Sequence, residues 1–112
     1  MFFRRKPKLT KEQQDNVVKR IVRGYAPITS VEFTQFSKDF KTGFYLLSFE
    51  LNGNSDFATT IFLKSLERFD DDTGALLLGP MDNFKELERH TNLPDKSDVD
   101  ISHVSISYLR GK

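Results

Sequence analysis

The densest chemistry in this 112-residue chain is the run Asp70-Asp71-Asp72-Thr73-Gly74, three carboxylates in five residues. Hard cations such as Ca²⁺ take oxygen ligands from clusters of this kind. An EF-hand loop, however, carries its glycine sixth and a glutamate twelfth. Counted from Asp70, the glycine here is fifth and the twelfth residue is Met81. Consecutive acids also project in different directions, so the run reads as a solvated turn, with a weak cation site on Asp70, Asp71 and Asp72 as its rival.

Imidazole chemistry is limited to His90 and His103. His103 alternates with Ser105 and Ser107 on the polar side of a C-terminal strand pattern, where Ser and His could hydrogen-bond. A triad also requires an orienting acid and an oxyanion hole, and neither is signalled. The pattern is therefore read as an exposed strand face, and His90 as the basic end of a short helix. Sixteen acids offer too many pairings to single out a glycosidase couple, and GxxxxGK[ST] does not occur. With no cysteine, disulfides, thiolate zinc sites and cysteine nucleophiles are excluded from these residues. No catalytic residue, cofactor or metal is expected, and the chain reads as non-enzymatic.

The chain begins MFFRRKPK, and Phe2, Phe3, Arg4, Arg5, Lys6 and Lys8 form its one membrane-type signal. Seventeen Lys and Arg face 16 Asp and Glu overall, but residues 9–112 hold 13 basic and 16 acidic side chains. The domain is mildly acidic and the arm basic, which makes nucleic acid an unlikely partner. Aromatics followed by cations are the pattern at the lip of a membrane segment. The expectation is that upstream residues carry a membrane helix or a lipid, with Pro7 stiffening the tether. The rival readings are a basic arm lying on anionic lipid and a frayed terminus without a role. No stretch has the roughly 18 apolar residues of a membrane span.

The elements that would carry these residues follow from periodicity. Thr10-Lys11-Glu12-Gln13 is a capping box, and Val17, Val18, Ile21, Val22 and Tyr25 form the apolar stripe of a helix ending near Gly24. Strands are expected in ITSVEFTQF, GFYLLSFELN and DFATTIFLKSL, with inward sets Val31 and Phe33, then Tyr45, Leu47, Phe49 and Leu51, then Phe57, Thr59, Ile61 and Leu63. Asn52-Gly53-Asn54-Ser55 marks a hairpin between the last two. ALLLG reads as a short buried strand, and 80–91 as a small helix capped by Asp82, with Phe84, Leu87 and Met81 on its apolar side. The final strand, VDISHVSISYL, turns Val104, Ile106 and Tyr108 inward.

Residues 1–9 are thus the arm and 10–112 one α+β domain. Its helix is expected on a curved antiparallel sheet of four to five strands, a cystatin-like arrangement, with a ferredoxin-like fold as the alternative.

Ile28, Ser30, Val31, Phe33 and Thr34, in an I-x-S-V-x-F-T segment after a basic tether and a helix, resemble the small uncharacterised lipoproteins of Gram-positive bacteria. The resemblance covers roughly residues 10–65. It implies export and attachment to the outer face of the cytoplasmic membrane, and it brings no catalytic residues. The expected function is a binding or interaction domain of the cell envelope that engages a protein or peptide through sheet surface or strand edge. The alternative is a cytoplasmic or exported ligand binder or enzyme with a pocket between helix and sheet, walled by Phe44, Phe49 and Phe62.

Overall fold

The computed structural model describes residues 8–79, 81–94, 96 and 98–109. Helix α1 spans Lys11–Gly24, and its capping box is formed: the Gln13 N–H donates to Thr10 Oγ1 at 3.0 Å, and Gln13 Oε1 accepts from the Thr10 N–H at 2.9 Å. Val17, Val18, Ile21 and Val22 are buried, so the stripe read from the sequence faces the core. Leu9 is buried too, which starts the domain one residue earlier than the expected boundary at residue 10.

Three antiparallel strands follow: β1 Ser30–Lys38, β2 Tyr45–Leu51 and β3 Ala58–Leu63. Leu47, Phe49 and Leu51 alternate inward on β2, with Val31 and Phe33 from β1 and Ile61 from β3. A bulge between Phe33 and Gln35 resets the alternation so that Phe36, not Gln35, returns to the inner side and packs edge-on to Phe69 at 5.5 Å. At the turn after β2, Asn52 (φ 58°) and Gly53 (φ 62°) both adopt left-handed backbone, and the Asn54 N–H donates to the Leu51 carbonyl at 3.1 Å. Those are the dihedrals of a type I′ turn. A 3₁₀ turn over Ser55–Phe57 lengthens the connection before β3 starts.

The remaining strand is β4, Ser105–Ser107, and it pairs with β1 in parallel. The sheet is therefore mixed, in the order β3-β2-β1-β4, and the expected all-antiparallel meander holds for its first three strands only. Parallel neighbours need a long crossover, and residues 64–104 supply it, passing along α1 before returning to the far edge. Placing the helix first, ahead of three consecutively paired strands, also departs from the ferredoxin-like alternative.

Among its described residues the crossover forms no strand beyond an isolated bridge between Glu88 and Tyr25. Leu76 and Leu78 are buried and Leu77 is 85% exposed, so ALLLG alternates as a strand would. Its backbone instead bonds to α1 and a side chain: the Leu76 N–H donates to the Arg20 carbonyl at 3.3 Å and the Leu78 N–H to Tyr25 Oη at 3.0 Å. The small helix is one turn, α2 Met81–Phe84, extended by a 3₁₀ turn over Lys85–Leu87. Phe84 and Leu87 are buried as expected, while Asp82 lies inside the first turn and does not cap it.

This crossover also closes the C-terminal end of α1. The carbonyls of Arg20, Val22, Arg23 and Gly24 accept from the Leu76 N–H, Arg89 Nε, the Leu93 N–H and the Arg89 N–H. Last-turn carbonyls that lack helical partners are thus satisfied by segments distant in sequence. Gly24 lets the crossover approach closely here: a Cβ there would stand 3.1 Å from the Cβ of Ala75, which would have to give by a few tenths of an ångström.

Candidate functional site

The acidic run does not converge on a point. Asp70 Oδ1 accepts from Gln13 Nε2 at 3.0 Å, Asp71 Oδ1 accepts from the Thr73 N–H and hydroxyl at 2.9 and 2.7 Å, and Asp72 Oδ2 lies 3.7 Å from Lys19 Nζ. The Asp72 carbonyl accepts from Arg23 Nε at 3.0 Å, and the Phe69 carbonyl from Asn16 Nδ2 at 3.0 Å. Among the described residues no group of three or more His, Cys, Asp or Glu side chains is placed to hold a metal. The run clamps the crossover onto the polar side of α1. Thr73's two hydrogen bonds hold the Asp71 carboxyl below the usual carboxylate range. Burial pulls the Arg20 guanidinium below its ordinary value; the nearby Asp71 charge opposes this, and Arg68 and Arg23 add to it.

The histidines are not brought together with a nucleophile. His103 sits in an exposed turn before β4, and Ser105 and Ser107 are exposed on β4 itself. His90 lies beyond the end of the small helix, which stops at Leu87. Of the arm, Lys8 is described and exposed, whereas Phe2, Phe3, Arg4, Arg5 and Lys6 lie outside the described residues.

The expected pocket wall of Phe44, Phe49 and Phe62 is not formed. Phe49 is 1% exposed on the inner face, whereas Phe62 is 62% exposed on the outer face of β3. The sequence pattern contained this split, because Phe62 is out of phase with Ile61 and Leu63. A cleft of about 220 Å³ does occur, but at the C-terminal end of α1, where Gly24, Tyr25, Leu76, Leu77, Arg89 and Asn92 help line it. Polar groups at its wall are already engaged in fold contacts, Arg89 with the Val22 and Gly24 carbonyls and Tyr25 Oη with Leu78.

Another tie closes the opposite flank. Tyr108 Oη donates to Asp15 Oδ1 at 2.6 Å, and the Leu109 N–H donates to Gln14 Oε1 at 2.7 Å. Burial first, then the Asp15 hydrogen bond and charge, push the Tyr108 phenol up to about 12 from an ordinary 10.0. Between these values the folded protein keeps a proton that the unfolded chain has lost. The stabilisation is complete below pH 10 and is lost as pH rises through 12. Thermal melts from about pH 9 to about pH 12 should therefore fall less steeply for Tyr108→Phe than for the wild type; identical profiles would show that the fold does not raise this phenol.

What remains open is the outer side of the sheet and its β3 edge. On the outer face Glu32 stands opposite Glu50, Ser48 and Thr60 share a hydrogen bond of 2.7 Å between hydroxyls, and Leu46 stands opposite the exposed Phe62. The orientation of the β3 backbone follows from its neighbours. The Asn52 N–H bonds to Ser30, and the Phe44 carbonyl to Asp39, so even-numbered residues of β2 turn their backbone polar groups toward β1. Odd-numbered residues of β2 turn theirs toward β3 and meet Thr59, Ile61 and Leu63. Thr60 and Phe62 consequently point their N–H and C=O groups away from the sheet, and among the described residues no backbone bond meets them; Ala58 offers its carbonyl there, while its N–H donates to the Ser55 carbonyl and closes the 3₁₀ turn.

The segment Ala58-Thr-Thr-Ile-Phe-Leu63 contains no charge and no proline, the usual means of blunting a free edge. At the other margin β4 is three residues long, and the chain turns from it onto α1. No family model matches the chain, and no curated protein or solved structure matches it either.

Proposed function

We propose that this chain is a non-enzymatic interaction domain of the bacterial cell envelope that binds a protein or peptide partner by strand addition to β3. The observation that carries the reading is the unpaired, uncharged β3 edge, with Phe62 exposed beside it. An extended partner segment adds main-chain hydrogen bonds at such an edge and uses neighbouring side chains for selectivity. The envelope location rests on the basic arm with its two phenylalanines and on the resemblance to tethered lipoproteins. A fold held together by tertiary ties at both flanks of α1 suits a rigid docking module.

A photo-crosslinking residue at Phe62 of the full chain, expressed in its host, tests both parts of the reading. One discrete product should appear in the membrane fraction, be absent when the crosslinker replaces Ser107 on the opposite edge, and disappear with Thr60→Pro. That substitution removes an outward N–H and the hydroxyl bond to Ser48, and leaves the backbone bonds between β3 and β2 in place. A Phe62 product that survives Thr60→Pro, or no discrete product, overturns the binding mode. Recovery of the native protein wholly in the cytosolic fraction overturns the location.

A further inference from the structure

We infer that the partner fitting the β3 edge is a second copy of this chain, paired β3 to β3 antiparallel about a two-fold axis at Thr60; this rests on the strand-addition reading above. The argument is one of register. Thr60 and Phe62 offer both outward backbone groups and Ala58 its carbonyl, so a second β3 must place its own even-numbered residues opposite them. Five symmetric registers satisfy that condition within the strand, centred on residues 58 to 62. Centring on Thr60 alone pairs all three outward residues of each copy, Ala58 with Phe62, Thr60 with Thr60 and Phe62 with Ala58. About four backbone hydrogen bonds then form across the junction, two between the Thr60 residues and one from each Phe62 N–H to an Ala58 carbonyl.

Side chains select the same register. Asp56 precedes β3 and Lys64 follows it, both exposed, and among the described residues neither is in an ion pair. Centred on Thr60, each copy's Lys64 comes toward the 3₁₀ turn that carries Asp56 of the second copy, so opposite charges approach at both ends of the uncharged strand. Phe62 meets the small Ala58 of the second copy on the outer face, so the aromatic ring gains cover without a clash against a second large side chain. A two-fold axis perpendicular to the sheet keeps each outer face on the same side. The product is one continuous sheet with four strands from each copy.

An interface built on six edge residues is small, so the dimer is reversible and concentration-dependent. Sedimentation of the full chain from about 10 µM to about 1 mM should show a monomer–dimer equilibrium. The chain has no cysteine, so Thr60→Cys introduces a single thiol on the axis. Directly opposite residues of a hydrogen-bonded antiparallel pair have Cα atoms about 5.5 Å apart, within disulfide range. Mild oxidation should therefore link Thr60→Cys into a dimer much faster than Phe62→Cys, whose thiols lie four residues out of register, or Ser107→Cys.

Thr60→Lys places two ammonium groups face to face and should weaken the dimer about fivefold to tenfold. An equimolar mixture of Thr60→Lys and Thr60→Glu should restore it as a heterodimer. A monomer across the whole range, a dimer indifferent to Thr60→Lys, or equal oxidation rates at Thr60 and Ser107 each overturns the self-pairing. If the chain stays monomeric while Phe62 still crosslinks to a different envelope protein, only the second-copy assignment fails; if both are negative, strand addition fails with it.

Discussion

Replacing Phe49 by alanine should lower the unfolding free energy by about 3–5 kcal/mol. Phe49 is 1% exposed at the middle of β2, opposite Phe33 and Thr59, and its ring meets that of Phe33 edge-to-face at 5.9 Å. Truncation removes the transfer free energy of the ring and leaves a cavity that the surrounding strands and helix cannot close. A domain of this size has about 5–15 kcal/mol in total, so the loss takes a large share of it. Urea titration would read it as a lower midpoint at unchanged slope. Phe62→Ala is the internal control, expected within about 0.5 kcal/mol because the ring is 62% exposed. Similar costs at the two sites would contradict the assignment of strand faces, since a slip of one residue exchanges inner and outer side chains.

Arg23→Met should cost about 2–4 kcal/mol. Arg23 is 1% exposed near the end of α1, and its guanidinium donates to the carbonyls of Asp72 and Pro94, from two parts of the crossover. Methionine keeps much of the aliphatic volume and deletes the donors, which leaves the part-buried carbonyls of Asp72 and Pro94 without those bonds. Lysine should not rescue the loss, because a single ammonium lacks the planar fork that reaches two carbonyls at once. Amide exchange offers a local readout: Leu93, whose N–H bonds to the Arg23 carbonyl, should lose protection ahead of the sheet. A melting temperature for Arg23→Met within about a degree of the wild type would rule out this tie.

The two variants probe different layers of the molecule. Phe49 belongs to the helix-on-sheet core, while Arg23 fastens the crossover that covers the end of α1. The open β3 edge depends on the first layer, because β3 is held to the sheet through β2 and by inward residues such as Ile61. Edge substitutions such as Thr60→Lys touch neither layer, so their effects on association can be read without a change of fold.

What the sequence determined by itself is the part governed by local periodicity and local hydrogen bonds. The capping box at Thr10, the stripe from Val17 to Val22, the alternation in β2 and the Asn52-Gly53 turn depend on residues a few positions apart, and each forms where its pattern lies. The α+β class follows from their order. Alternation also marks Leu76 and Leu78 as buried and Leu77 as exposed, yet it cannot say whether the backbone meets a strand or a helix end.

That choice was tertiary, as was the parallel pairing of β4, because both depend on where residues 64–104 bring the chain back. Arg23 looked like a last-turn cation suited to the helix dipole, and only the crossover folding over it made it a buried donor to two distant carbonyls. The three aspartates read as a solvated turn with a weak cation site as its rival, and only the tertiary contacts with Gln13 and Lys19, beside the local one with Thr73, show where each carboxylate goes. Phe62 was legible as out of phase with the core, but its place on a free edge required the strand order. The physical reason is common to all of these: periodicity fixes which side of an element is apolar, whereas the partner of that element is chosen by contacts between residues far apart in the chain.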